Sequence, residues 1–306
     1  PRQDVVVIGG GPAGASAAIY AARKGLKVAL VADRIGGQVK DTVDIENLIA
    51  TVKTTGTELA QNLQRHLDAY AISRRENLRV AKLETLGPGF RLTLNSGEVL
   101  ESRTVIVASG AKWRELGVPG ERENIGSGVA FCPHCDGPFF KGKDIAVVGG
   151  GNSGVEAALD LANMVGSVTL LEFQPTLKAD KVLVEQLGRR ANIRVITEAA
   201  VQAIHSENGT VSRIDYLDRA SQQLQSLPLA GVFVQIGLVP NGDFLGAEVE
   251  RTPAGEVVIN AKCETNIPGL FAAGDVSTVP YKQIIIAMGE GAKAALSAFD
   301  YLQRQG

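Results

Sequence analysis

Val5-Val6-Val7-Ile8-Gly9-Gly10-Gly11-Pro12-Ala13-Gly14 stands near the start of the chain, and Ile145-Ala146-Val147-Val148-Gly149-Gly150-Gly151-Asn152-Ser153-Gly154 repeats its pattern at a constant offset of 140 residues. The match runs without a gap from Val5–Asp33 onto Ile145–Phe173 and pairs strand Val28–Val31 with Val168–Leu171. A short apolar run before a glycine turn reads as a parallel strand covered on both faces. In the first copy Ala13 to Lys24 predicts an Ala-rich helix, Gly25 ends it in the left-handed C′ position, and Leu26 to Val31 predicts the next buried strand. The glycines have separate tasks: Gly9 makes the tight turn, Gly11 admits a pyrophosphate close to the backbone, and Gly14 packs helix on strand. The helix N-terminus then supplies free N–H groups and a favourable dipole for negative charge.

A lone G-x-G-x-x-G is weak evidence, since a glycine turn can hold no ligand. Strand before, helix after, and Asp33 placed 19 residues beyond Gly14 as a ribose acceptor narrow it to a dinucleotide site. The duplication strengthens both copies, and the fold class is α/β with two Rossmann-like dinucleotide-binding domains.

Between the copies lies Phe131-Cys132-Pro133-His134-Cys135-Asp136-Gly137-Pro138. A C-x-x-C pair can be a redox disulfide, half a zinc site or two inert thiols. Zinc wants four N or S ligands, and only Cys263, His66, His134 and His205 remain, none forming a second paired motif; no metal is expected. Redox exchange needs an attacking thiolate, a neighbour that re-forms the bond, and an acid to protonate the leaving thiolate. Cys132, Cys135 and Asp136 meet those needs, although an Asp after a Cys also serves as a turn or cap residue. His134 either lowers a thiol pKa when protonated or fills the bend. Cys263 reads as a free, nonessential thiol.

The 306 residues suffice for two domains of ordinary size, and 45% hydrophobic with 21% charged residues suits a globular soluble protein. A net charge of −2 leaves no basic footprint for nucleic acid or an anionic membrane. No apolar run approaches the roughly 20 residues of a membrane span. Three cysteines are too few for a disulfide scaffold. With no signal-peptide pattern before Val5, a cytoplasmic location is expected. Pro1 in place of an initiator Met predicts a processed chain or a piece of a longer one.

Elsewhere the pattern predicts an amphipathic helix around Thr57 to Tyr70, short strands at Leu78–Leu83, Phe90–Leu94 and Val99–Glu101, and a buried strand at Thr104–Ala108. Leu116-Gly117-Val118-Pro119-Gly120 and Val239-Pro240-Asn241 read as linkers. Thr197 to Leu217 alternates around Asn208-Gly209, a hairpin signal, and Ala230–Ile236 is a buried strand ending at Gly237. From Glu256 the tail reads as strand, then Phe271-Ala272-Ala273-Gly274-Asp275, then a helix from about Gln283 to Gln303. Asp275 either aims at a sugar hydroxyl or caps a turn. The economical layout places residues 1–116 and 241–306 in one domain, with 117–240 inserted as the second.

In the second copy the outer strand ends at Glu172, 18 residues after Gly154. A carboxylate there accepts from a ribose 2′-hydroxyl and repels a 2′-phosphate, whereas an NADP site needs Arg nearby. Phe173, Gln174 and Pro175 follow, with no basic residue until Lys178. The expected nucleotide is therefore NADH, unless Glu172 is only a solvated strand-end acid.

Gly36-Gly37-Gln38, the stretch Asp41 to Leu48, Cys132 to Pro138, Gly149 to Ala158, Cys263 to Asn266 and Tyr281 to Gly291 together resemble the flavoprotein subunits of bacterial alkyl hydroperoxide reductases, and more broadly the low-molecular-weight thioredoxin reductases. The resemblance covers essentially the whole chain. It implies that the first nucleotide is FAD, held by the turn Gly9, Gly10, Gly11, Pro12, Ala13 and Gly14 with Asp33, Gly37, Gln38, Asn47, Gly274, Asp275 and Gln283. The second is NADH, at Gly149, Gly151, Asn152, Ser153, Gly154, Glu172 and Gly237. It further implies that Cys135 faces the flavin, that Cys132 attacks the outside disulfide, that Asp136 is the acid, and that the inserted domain rotates on its linkers within a homodimer.

Full-length subunits of this kind carry an upstream thioredoxin-like domain that passes electrons to a peroxiredoxin. Nothing in this sequence matches it, which predicts either a fragment or a free-standing relative. Ser109 stands where relatives usually have Thr. A thioredoxin reductase acting on free thioredoxin, and a non-turnover NAD/FAD redox-sensing module, are the competing expectations.

Overall fold

The computed structural model describes residues 2–42 and 44–305. Pro1, and Val43 within the Asp41–Leu48 stretch, lie outside the described residues. The chain divides into two compact units, Pro1–Lys112 with Val239–Gly306, and Trp113–Leu238. It crosses from one to the other at Lys112–Trp113 and returns at Leu238–Val239.

In the first unit, Gln3–Ile8 is the centre of a sheet and pairs in parallel with Val28–Ala32 on one side and Val99–Val107 on the other. Its alternation decides the layers. Val5 and Val7 join the cluster containing Ala15, Ala18 and Ile106, while Val6 and Ile8 join that of Phe90, Leu92 and Val257. A strand buried on both faces needs an unbroken apolar run, which is what the sequence carries there.

Val99–Val107 is one continuous strand, not the two short ones expected at Val99–Glu101 and Thr104–Ala108. Its first half pairs antiparallel with Gly89–Leu94 and its second half in parallel with Leu270–Ala272. Ser102 and Thr104, both fully buried, hide the continuity in the sequence: Ser102 Oγ donates to Thr104 O at 2.6 Å and Thr104 Oγ1 to Asp4 O at 2.7 Å, so polar side chains are satisfied inside the sheet. The edge strand Ile72–Glu76 escaped the periodicity reading. Its arginines bind outward carboxylates, Arg75 to Glu98 and Arg74 to Asp68, and it has no apolar face. The strand expected after Glu256 is reduced to isolated bridges at Val257.

Helices Pro12–Arg23 and Ile284–Gln305 lie together on this sheet. Small residues permit the close approach: a Cβ on Gly291 would stand 2.1 Å from Ala13 O.

The second unit has a parallel sheet in the order Val129–Ala130, Gly231–Val234, Asp144–Val148, Ser167–Leu171, Ile193–Ile196. Beside it is an antiparallel sheet of Ala199–Glu207, Thr210–Asp218 and Gln223–Pro228. The first hairpin turns at Asn208 and Gly209, with φ of 52° and 78°, the signature of a type I′ turn. No helix among the described residues is long and apolar enough to cross a membrane.

Candidate functional site

The first fingerprint is a strand, a turn and a helix start built by backbone contact. Gly9 has φ 113°, and a Cβ there would lie 2.0 Å from Ala108 O. A Cβ on Gly14 would lie 1.8 Å from Gly9 O. Gly11 differs, since the atoms nearest to its Cβ position are 3.9 and 4.0 Å away. The helix begins at Pro12 with Gly11 as N-cap and no side-chain cap. The result is a positive helix end facing open space at Gly11, which fits a pyrophosphate.

Around it the first unit gathers the other residues singled out in the sequence. Gly36 N donates to Gly10 O at 2.8 Å, and a Cβ on Gly37 would stand 3.1 Å from Gly11 Cα, so the Gly36-Gly37-Gln38 turn lies against the fingerprint. Gln38 is exposed at the start of the 3₁₀ turn Gly37–Asp41. Gly274, with φ 77°, lies 3.0 Å by its Cβ position from Ala13 Cβ. Asp275 follows it inside the 3₁₀ turn Gly274–Val276, and burial pushes its carboxyl pKa up, against the pull of Lys282. Asn47 Nδ2 donates to Gln283 Oε1 at 3.1 Å, joining two residues far apart in sequence. Asp33 is exposed and paired with Arg79, whose hydrogen bond holds its carboxyl below the ordinary carboxylate range.

The second fingerprint repeats the geometry. Gly149 has φ 127°, Gly154 would place a Cβ 1.8 Å from Gly149 O, and Gly151 has nothing within 4 Å of its Cβ position. Helix Asn152–Leu161 also lacks a side-chain cap. Asn152 is not turned to that opening: its amide donates to Asp180 Oδ2 at 3.1 Å and its oxygen accepts from Asp180 N at 2.7 Å. Ser153 follows it in the first turn, exposed. Glu172 folds back on the turn, Oε2 accepting from Gly150 N at 2.6 Å and Oε1 from Gln174 N at 2.7 Å. Gly237, with φ 118°, accepts from Arg114 N at 2.9 Å through its carbonyl.

In the same unit, Cys132 and Cys135 are joined as a disulfide across the single helical turn Pro133–Asp136. Pro133 occupies the first helical position, where its missing N–H costs nothing. Cys132 is the N-cap: Cys135 N donates to Cys132 Sγ at 3.2 Å and Asp136 N to Cys132 O at 3.0 Å. Burial raises the Asp136 carboxyl to about 6, opposed by a hydrogen bond from the Cys132 backbone. The side chain therefore still carries a proton in mildly acidic solution, while His134 is exposed with Nδ1 3.9 Å from Asp160.

Sequence reasoning missed Gln235. It is buried and donates from Nε2 to Phe131 O at 2.6 Å, and its own carbonyl lies 2.1 Å from the Cβ position of Gly149. It thus braces the cysteine segment against the second fingerprint, and nothing in the local pattern marks it. Cys263 is free, as expected; it is also buried, and its thiol faces Glu290 Oε2 at 2.8 Å, a contact made from another element.

Two Rossmann-type glycine turns and a joined cysteine pair accord with a flavoprotein disulfide oxidoreductase, the class to which the chain's family belongs. The chain belongs to the pyridine nucleotide-disulphide oxidoreductase family, whose model matches residues 3–291. Members of this family use FAD and NAD(P)H. The F subunit of alkyl hydroperoxide reductase from Pseudomonas aeruginosa is 53% identical over 98% of this chain and 58% of that protein. A protein named NADH dehydrogenase from Ferdinandcohnia aciditolerans is 54% identical over 98% of this chain and 58% of that protein. The chain thus spans little more than half the length of these curated relatives. Thioredoxin reductase from Streptococcus pyogenes superposes with a TM-score of 0.93 at 34% identity, covering 99% of both chains.

Proposed function

We propose that this chain is the reductase part of a peroxide-detoxifying system, carrying electrons from NADH through FAD to the Cys132–Cys135 disulfide. From there they pass to a thioredoxin-like domain and on to a peroxiredoxin. The observation that carries the reading is the cysteine pair itself, capped on one helical turn beside a half-buried acid whose pKa is lifted to about 6. The greater identity to the F subunit of alkyl hydroperoxide reductase than to the solved thioredoxin reductase favours this acceptor.

FAD, when bound, supplies the relay that accepts a hydride from a nicotinamide and returns two electrons to a disulfide. The residues that would hold it are Gly9 to Gly14, Asp33, Gly37, Gln38, Asn47, Gly274, Asp275 and Gln283. The openings at Gly11 and Gly151, each at an uncapped helix start, support the two phosphate seats. Gly149, Gly151, Asn152, Ser153, Gly154, Glu172 and Gly237 would serve NADH, with Glu172 accepting from the ribose 2′-hydroxyl.

Two electrons and two protons open Cys132–Cys135 to the dithiol. Cys132, as thiolate, attacks one sulfur of the partner's disulfide and forms a mixed disulfide, while the other partner sulfur leaves as a thiolate. Asp136 delivers a proton to that leaving sulfur. Cys135 then attacks Cys132 Sγ, re-forms the internal bond and releases the second partner thiolate. The protein is proposed to act in the cytoplasm as a homodimer.

A second reading, a stand-alone thioredoxin reductase, is favoured by the 99% mutual coverage with the Streptococcus pyogenes enzyme. Anaerobic NADH oxidation with free thioredoxin, against a separately made thioredoxin-like domain plus peroxiredoxin, decides between them. Turnover that requires the supplied domain supports the first reading; rapid turnover with thioredoxin overturns it.

A further inference from the structure

The expectation that Glu172 selects NADH rested partly on the lack of a basic side chain from Phe173 to Leu177. The fold brings one in from elsewhere. Arg219, in the turn between Thr210–Asp218 and Gln223–Pro228, donates from Nη1 to Phe173 O at 2.6 Å. Its Cζ sits 4.0 Å from the centroid of the Phe173 ring.

Phe173 is 50% exposed, so this large ring is held at the surface by the guanidinium and not by a core. The bend it belongs to is stitched on every side. Glu172 N donates to Ile196 O at 2.9 Å, Ala199 N to Glu172 O at 2.9 Å, Glu198 N to Gln174 O at 3.1 Å, and Arg219 N to Glu198 O at 2.8 Å. Glu198 adopts φ 54° between these last two bonds. Side chain and main chain of Arg219 therefore both lock the bend from which Glu172 reaches Gly150 N.

We propose that Arg219 is a positioning and specificity-determining residue of the second nucleotide site. By stacking on Phe173 and binding its carbonyl, it fixes the bend that aims Glu172 at a ribose 2′-hydroxyl. The same engagement withholds the guanidinium from a 2′-phosphate, the ligand an arginine at this corner of a Rossmann site otherwise takes. Phe173 is thus the retainer, and discrimination belongs to the trio Glu172, Phe173 and Arg219. The inference rests on the second fingerprint being the nicotinamide-dinucleotide seat.

The test is calorimetric titration of the purified protein with ADP-ribose and with 2′-phospho-ADP-ribose. Wild type is expected to prefer ADP-ribose. Phe173→Ala, which removes the ring and leaves the guanidinium only its bond to the main-chain carbonyl, should shrink that preference by about tenfold through tighter binding of the phosphorylated ligand. Phe173→Tyr, which keeps the ring, should retain the wild-type preference. Arg219→Gln should weaken ADP-ribose about tenfold and gain nothing for the phosphorylated ligand. An unchanged preference in a folded Phe173→Ala variant overturns the proposal. Wild type that binds neither ligand overturns the reading of the second fingerprint, and this inference with it.

Discussion

The two glycine turns are near copies in backbone and unlike in what stands beyond them. Gly14 and Gly154 each leave 1.8 Å between a Cβ position and the carbonyl of the turn's first glycine, and both helices start without a side-chain cap. Past the outer strand the likeness ends. Asp33 points to solvent and is held by Arg79, with Arg34 and Lys112 adding to the positive surroundings. Glu172 turns inward onto Gly150 N, and its neighbour Phe173 is clasped by Arg219. On the proposed reading, the duplicated backbone is a phosphate seat with no preference of its own. On that reading, choice between nucleotides comes from side chains at the strand ends, held by Arg79 and Arg219, which lie outside the duplicated stretch.

The sharpest way to break the pairing is steric. Gly14→Val and Gly154→Val each drive a side chain into a carbonyl, at a cost of about 3 kcal/mol or more to the affected unit. The first should yield protein without flavin absorbance, and the second should keep the flavin but fail to bleach with NADH. Identical loss of flavin in both, read by absorbance and thermal melting, would deny the separate roles.

Next in size, Cys132→Ser should lower disulfide reduction by at least about a thousandfold while NADH still reduces the flavin. Stopped-flow bleaching beside a disulfide-reduction assay measures the split, and loss of bleaching would sink it.

Asp136→Asn probes the acid. The carboxyl's ordinary value is 3.8 and the folded value about 6, so the native state holds its proton more tightly than the unfolded chain. The burden of a buried charge is thus small below about pH 4, grows as pH rises, and is complete above about 6. The neutral variant escapes it. Its advantage in urea denaturation should grow by about 2 kcal/mol between about pH 4.5 and pH 7.5. A difference independent of pH would contradict the assignment.

Smallest is Arg79→Ala, which removes an ion pair with both partners half exposed or more. Stability should change by about 0.5 kcal/mol or less and flavin retention hardly at all. A large loss of flavin would instead tie the Asp33–Arg79 pair to the ribose-acceptor role expected of Asp33.

Much of this was legible in the sequence, because Rossmann units write their function locally. Val5 to Gly14 fixes strand, turn and helix within ten residues, and Asn208-Gly209 names its own turn. Illegible were the contacts that need distant partners. Arg219 meets Phe173 only because a hairpin turn folds back beside the strand end, and Gln235 meets Phe131 only because two strands are neighbours in the sheet. Ile72–Glu76 was missed since an edge strand held by ion pairs has no apolar rhythm to read.

Val99–Val107, paired with Leu270–Ala272 along its second half, constrains how the chain assembles on the ribosome. The second unit is one continuous stretch, Trp113–Leu238, and can close while later codons are still being read. The first cannot. Until residue 272 has emerged, Val105, Ile106 and Val107 keep one side without a neighbour, an apolar strand edge of the kind that recruits other chains. A ribosome that stops between the two events releases a finished second unit tethered to an unfinished, adhesive first one. The edge made early thus stays open until the strand Leu270–Ala272 closes it late in synthesis.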